Sequence, residues 1–218
     1  MEVTILNNEF NGIITDNIEV IDDLKLDKVA ILNDNYFKEN FLSKVYEWMY
    51  YEIRSKKIEL KNPKKKIIDS LRIIGLDISF LERRVNTLSQ SEKVWIKLAI
   101  MLISNPNTLV LVDVFKYFDK KNEKKLIMLL QRIKDNYNKT IIMVTNNTEI
   151  LYKYTKHLIV IKKNKVLVDD DIKVLEKEDL DIKIPEIVEL TNLIWKKNIK
   201  IEYHNDVRDI LKDIYKHV

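Results

Sequence analysis

The sequence predicts an α/β fold: a mostly parallel sheet with a helical insertion and a helical C-terminal appendage. Residues 108–113 (TLVLVD) are almost continuously apolar, as a strand buried on both faces would be. Residues 122–136 carry Leu126, Leu129, Leu130 and Ile133 at helical spacing, and a second apolar run follows at 139–145. Strand, helix and strand within about 40 residues make a βαβ unit. With 218 residues, 46% of them hydrophobic, the chain can bury a sizeable core.

The elements follow in order. Residues 3–6 (VTIL), 12–14 (GII), 18–21 (IEVI) and 28–32 (KVAIL) alternate apolar runs with polar turns and read as strands, the last of them buried. From Lys38 to about Arg54 the period becomes helical, with Phe41, Val45, Trp48, Met49 and Ile53 on one broad face. Residues 64–74 form the next helix, carrying Ile67, Ile68, Leu71 and Ile74; Pro63 suits its first turn and Gly75 its stop. Ser89 begins a third helix reaching about Ser104, with Ile96, Ala99, Ile100 and Ile103 on its apolar side, and Asn105-Pro106-Asn107 ends it. After the βαβ unit, residues 158–161 and 166–168 are strands that the two-residue turn Lys163-Asn164 joins into a hairpin. Helices are expected near 174–178 and over 185–197 and 206–216. The boundaries implied are an α/β domain at 1–183, its helical insertion at about 38–104, and the appendage at 184–218.

Composition narrows the chemistry. Cysteine is absent, and His157, His204 and His217 have no ligand spacing, so a metal site built on His and Cys is not expected. The 38 Lys+Arg are mostly interleaved with the 34 Asp+Glu, which describes a solvated surface more than a nucleic-acid footprint. The compact basic run at 61–66 (KNPKKK) reads first as a solvated helix start, and a nucleic-acid patch joining it with Arg83-Arg84 ranks below that. No apolar run approaches the roughly 20 residues that cross a bilayer, and MEVTILNNEF lacks the layout of a signal peptide. A cytoplasmic protein is expected, peripheral at most on the inner face of the membrane.

Glycine is the sharper count. Only Gly12, placed in a polar turn by this reading, and Gly75 occur in the chain. A phosphate-binding loop closes backbone N–H groups around its ligand where a Cβ would clash, so neither GxxxxGK[ST] nor GxGxxG can exist here. A self-sufficient mononucleotide pocket of the usual kind is not expected.

Several motifs in order resemble the ATP-binding-cassette (ABC) ATPases. LSQSE at 88–92 stands where that family has LSGGQ, LVLVD at 109–113 for the Walker B strand, and FD at 118–119 for the D-loop. IIMVTNN at 141–147 stands for the strand ending in the switch histidine, and HLIVIKKNKVLVDD at 157–170 for the final hairpin. Residues 184–201 (IPEIVELTNLIWKKNIKI) are similar to the helical appendage of the energy-coupling-factor ATPases, which helps pair two ATPase subunits. The resemblance implies a P-loop NTPase-like fold of the ABC type, truncated in its N-terminal part: the strand at 28–32 arrives as if the phosphate loop and its helix were deleted. Val114 occupies the position of the catalytic glutamate and Asn146 that of the switch histidine; Asp34 stands for the Q-loop glutamine. A valine cannot orient water.

What remains has two readings at each residue. Ser89 and Glu92 fit a capping box, and Ser89 could otherwise meet a partner's γ-phosphate. Asp113 could hold a metal through water, but capping a neighbouring helix or loop is the favoured reading. Asp119 completes the residual nucleotide set with Ser89 and Asp113. Tyr46, Trp48, Met49, Tyr50 and Tyr51 follow the Q-loop position, where the family receives a membrane subunit. They serve either as core of the insertion or as a partner-binding face. The resemblance thus implies a non-hydrolysing structural or regulatory subunit partnered by an intact ABC ATPase and an integral membrane component. No cofactor is expected, with ATP and Mg only if a partner completes the site. A residual nucleotide site finished in trans is the alternative, and a soluble nucleic-acid-binding module ranks last.

Overall fold

The computed structural model describes residues 2–33, 43–177 and 181–217. Asp34, Lys38, Phe41 and Glu178, to which the sequence assigned the Q-loop position, a helix start, a helix face and a helix end, lie outside the described residues. The strands are β1 (Phe10–Thr15), β2 (Val29–Leu32), β3 (Thr108–Val112), β4 (Thr140–Val144), β5 (His157–Lys162) and β6 (Lys165–Asp171). Backbone hydrogen bonds join them in the order β2-β3-β4-β1-β5-β6. β1 with β5 and β2 with β3 are parallel, whereas β5 with β6 is an antiparallel hairpin. The expected α/β architecture with a mostly parallel sheet is therefore present. Two compact units divide the chain, residues 1–25 with 143–218 and residues 26–142.

In the second unit, all five residues of β3 are buried, as the unbroken apolar run requires. The expectation that the strand at 28–32 is buried fails except at Leu32, because β2 ends the strand order and Val29 is exposed. Among the described residues, three α-helices make up the insertion: α1 (Val45–Ser55), α2 (Pro63–Ile74) and α3 (Gln90–Ile103). Asn62 caps α2, accepting from the Lys65 amide at 3.1 Å, Pro63 fills its first turn, and Gly75 stops it at φ +75°. The start of α1 is stapled to a distant segment: the Val45 amide donates to Arg83 O at 2.9 Å and the Val85 amide to Ser43 O at 3.0 Å. Helix α4 (Lys120–Tyr137) completes the βαβ unit, burying Leu126, Leu129, Leu130 and Ile133 as their spacing predicts.

In the first unit, the strands expected at 3–6 and 18–21 do not form. Residues 18–21 make one 3-10 turn instead, because the Asn17 side chain accepts from the Glu19 amide at 3.0 Å and starts a turn where alternation alone suggested a strand. Residues 3–6 run beside the unit without a ladder, and the buried Asn11 fixes Leu6 by accepting from its amide at 2.8 Å and donating to its carbonyl at 3.0 Å. Gly12 lies within β1, not in a polar turn. A Cβ there would come within 3.1 Å of Leu151 and 3.2 Å of Thr155 Oγ1, so the residue permits close packing of the strand on α5 (Thr148–Tyr154). The hairpin turn at Lys163-Asn164 has φ of 50° and 56°, the conformation of a two-residue type I′ turn.

The C-terminal segment carries α6 (Glu186–Trp195) and α7 (Val207–His217), and the helix expected near 174–178 is a 3-10 turn at Ile172–Glu176. Asp213 ties α7 down, pairing with His204 Nε2 at 2.6 Å and Lys216 Nζ at 2.7 Å. The Lys216 and His204 hydrogen bonds hold its carboxyl down at about 2, below the ordinary 3.8. A depressed acid contributes stability above its unfolded pKa and loses it as pH falls through the folded value. Helicity is accordingly expected to fall in part between pH values of about 3.8 and about 2, a step that Asp213→Asn removes in an acid titration followed by circular dichroism. An identical step in the variant would refute this role.

Candidate functional site

The described residues that the sequence singled out fall on both units. Ser89 caps α3: its Oγ accepts from the Glu92 amide at 3.2 Å, and the Glu92 carboxylate accepts from the Ser89 amide at 2.8 Å. This is the capping box that the spacing predicts. Arg83 adds what the sequence does not reveal. Its guanidinium pairs with Glu92 at 2.6 Å, donates to Thr87 O at 3.1 Å, and lies 4.7 Å from the Phe80 ring centroid. Partial burial would raise the Glu92 carboxyl, but hydrogen bonds from Arg83 and Ser89 outweigh it and hold the group below its usual range. The helix start therefore presents a fixed carboxylate, and Arg83 is committed to it instead of to a basic patch.

Asp113 follows β3 in the left-handed region, φ 49° and ψ 23°, and is exposed. The favoured reading, a capping side chain, is corrected here: Asp113 stands at the N-cap position of the 3-10 turn Val114–Tyr117 but makes no side-chain cap bond. Capping residues normally have extended backbone, which aims the side chain at the amides ahead, and a left-handed residue does not. Val114, next in sequence, is 1% exposed. Asp119 caps α4, accepting from the Asn122 amide at 2.7 Å, and Phe118 packs edge-on against Trp95 with centroids 5.6 Å apart.

In the first unit, Asn146 is exposed after β4. The next residue, Asn147, has the structural duty: it caps α5 through the Ile150 amide at 3.3 Å, while its own amide donates to Thr145 Oγ1 at 3.2 Å. Beyond β1 the chain continues as Thr15-Asp16-Asn17 into the 3-10 turn. Thr15 Oγ1 donates to Asn17 O at 2.9 Å and accepts from the Asn17 amide at 3.1 Å, and Asp16 Oδ2 accepts from the Lys163 amide at 3.0 Å. Val20, Ile21 and Leu24 of this segment are buried, and its charges are Asp16, Glu19, Asp22, Asp23 and Lys25. The polar groups at the strand end are thus spent on one another.

The aromatic run divides by helix face. Trp48 and Met49 are core at 1% and 0% exposure, whereas Tyr51 is 61% exposed and Tyr50 lies partly open, its ring stacked on Tyr46 at 6.2 Å. The core reading holds for Trp48 and Met49, and Tyr46, Tyr50 and Tyr51 lie outside the core. Beneath it, burial raises the Glu52 carboxyl above its ordinary range, with Lys56, the Trp48 indole and Lys97 opposing the shift.

No family model matches the chain. Among curated proteins it is 28% identical over 170 residues to the energy-coupling factor transporter ATP-binding protein EcfA2 of Spiroplasma kunkelii, covering 75% of this chain and 54% of that protein. It is 23% identical over 184 residues to EcfA1 of Mycoplasma mobile, covering 83% and 66%. The chain spans about half the length of the first curated relatives it matches. Of solved structures, cbiO1 from Clostridium perfringens, part of the ABC transporter complex cbiONQ, superposes with a TM-score of 0.65 at 18% identity over 91% of this chain and 88% of that one. The dimeric bacterial ABC transporter cassette MJ0796 gives 0.62 at 16% identity over 78% and 88%. Strand order, motif order and these similarities converge: the chain has the ABC ATPase cassette fold and resembles the ATP-binding subunits of energy-coupling-factor transporters.

Proposed function

We propose that the chain is a non-hydrolysing ABC-type subunit, a structural or regulatory partner of an intact ATPase on a membrane transporter component. The observation that carries this is the connection after β1. A phosphate loop runs from a strand through glycines and a lysine into a helix, whose N-terminal amides face the phosphates. Here residues 16–28 fill that interval with one 3-10 turn at Ile18–Ile21 and no α-helix. Such a segment does not fit a triphosphate. The Thr15 hydroxyl and the Asn17 amide are engaged with each other's residues, and its five carboxylates outnumber its two lysines and would repel the ligand. Buried Val114 and exposed Asn146 support the same reading, since neither is a general base. Support for a partner subunit comes from α7, where Val207, Leu211 and Tyr215 recur every four residues and are exposed, with Ile210 buried behind them.

The exposed, uncapped Asp113 favours one second reading, a nucleotide site completed in trans. One experiment separates the two. Isothermal titration of the purified chain with ATP and Mg up to millimolar concentration is expected to be flat, and co-expression with an intact energy-coupling-factor ATPase and its membrane component is expected to yield a complex. Failure to recover that complex would overturn the proposal, and saturable ATP binding weakened by Asp113→Ala would establish the second reading.

A further inference from the structure

Positive charge is concentrated on one face of the helical unit, around the basic run at 61–66. Arg54, Lys57, Lys61, Lys64, Lys65 and Lys66 lie between the end of α1 and the first turn of α2, and all six are exposed. Among the described residues none of the six forms a salt bridge. Elsewhere, Lys44, Arg83, Lys156, Arg208, Lys212 and Lys216 each hold a carboxylate within 2.7 Å. The six outnumber Glu59 and Asp69, the acids that line the depressions on the same face.

The cluster surrounds two adjoining depressions. One, of about 460 Å³, has Ile53 and Ile58 in its lining with Tyr50, Arg54 and Lys57 beside them. The other, of about 400 Å³, shares Glu59 and Leu60 with the first and is rimmed by Lys61, Lys65 and Lys66. Local physics does not favour this placement of lysines. The first turn of a helix is its positive end, where acids stabilise and cations cost about 0.3–1 kcal/mol each. The first turn of α2 contains no acid to offset them. A local rule broken without internal compensation marks a position that serves something outside the chain.

We propose that this face binds the anionic phospholipid surface of a membrane. Each Lys or Arg held at such a surface contributes about 1 kcal/mol, so a cluster of this size is enough for peripheral attachment. The apolar part of the face fits the same occupant. Tyr50 and Tyr51 stand partly and largely exposed beside the cations, and tyrosine rings settle at the headgroup level, where one end is apolar and the other wet. Single-stranded nucleic acid fits less well, because it needs free aromatic faces on which bases stack in succession, and the Tyr50 ring is already stacked on Tyr46. No described helix is long and apolar enough to cross a membrane, so the contact proposed is peripheral. The inference rests on the charge and shape of this face and not on the transporter reading.

The test is co-sedimentation of the full chain with vesicles of phosphatidylcholine alone and of phosphatidylcholine containing phosphatidylglycerol. Binding is expected only to the second and should vanish in about 1 M salt, where the Debye length is about 3 Å. The triple variant K64E/K65E/K66E is expected to bind about a hundredfold more weakly. It places acids at the positive end of α2, so its thermal stability should not fall, which separates lost binding from lost folding. K120E/K121E/K124E on α4 makes the same change in net charge away from the face and should retain binding. The proposal is overturned by equal sedimentation with both vesicles, or by equal losses in the two triple variants. Tighter binding to a single-stranded RNA oligonucleotide than to the vesicles at the same salt would also overturn it, and would assign the face to nucleic acid.

Discussion

Trp48→Ala is expected to lower the folding free energy by about 3–5 kcal/mol, whereas Tyr51→Ala is expected to change it by less than about 0.5 kcal/mol. The two residues are three positions apart on α1 and similar in composition terms, but one is 1% exposed and the other 61%. Removing the indole leaves a cavity between α1 and the helices packed on it, and relaxation fills such cavities only in part. It also removes a group that helps the buried Glu52 carboxylate remain ionised, which adds to the cost. Urea denaturation followed by circular dichroism measures both variants. A Trp48→Ala cost below about 1 kcal/mol would mean that the helical unit repacks and that its core is not the one described. If the tyrosines settle at a lipid headgroup surface as proposed, Tyr51→Ala should weaken co-sedimentation with anionic vesicles while keeping full stability.

Restoring the residue that the cassette family uses to polarise water should damage this chain instead of activating it. Val114→Glu is expected to destabilise by about 3–5 kcal/mol, the usual cost of an uncompensated charge placed in a packed interior. The reason is local. Asp113 takes up a left-handed conformation, the 3-10 turn begins immediately after it, and the side chain of Val114 is directed inward at 1% exposure while Asp113 faces solvent. A glutamate there would either stay buried and neutral or force the turn open. Urea denaturation gives the cost, and phosphate release in the presence of ATP should remain at background. A stable Val114→Glu protein that hydrolyses ATP would defeat both this packing argument and the non-hydrolysing proposal.

Where the reading of the sequence succeeded, burial and period left one solution. Residues 108–112 and 140–144 are runs that only a strand covered on both faces can bury, and the spacing of Leu126, Leu129, Leu130 and Ile133 fits only a helix. Helix ends were legible for the same kind of reason: Ser89 with Glu92, Pro63 and Gly75 act within four residues of themselves. Errors came where a short apolar alternation had a local competitor. Residues 18–21 alternate like a strand, yet Asn17 turns them. Helix α5 was missed because seven residues are too few to display a period, and its stability comes from packing and from the Asn147 cap.

The candidate site divides along the same line. By itself the sequence determined the residue types on which the functional proposal draws, because the two glycines and the identities of Val114 and Asn146 need no coordinates. It also determined the order of the long helices and central strands from α2 to β4, since hydrophobic period is a property of the chain. Only the tertiary structure decided what the remaining polar groups do. Arg83 lies nine residues from Glu92 but reaches it at 2.6 Å, and Gly12 is required by Leu151 and Thr155, both remote in sequence. Likewise, which aromatics of α1 are core, and which lysines stay without a carboxylate, depends on neighbours supplied by other elements. Burial and pairing are properties of the folded surface, and no single segment contains both partners.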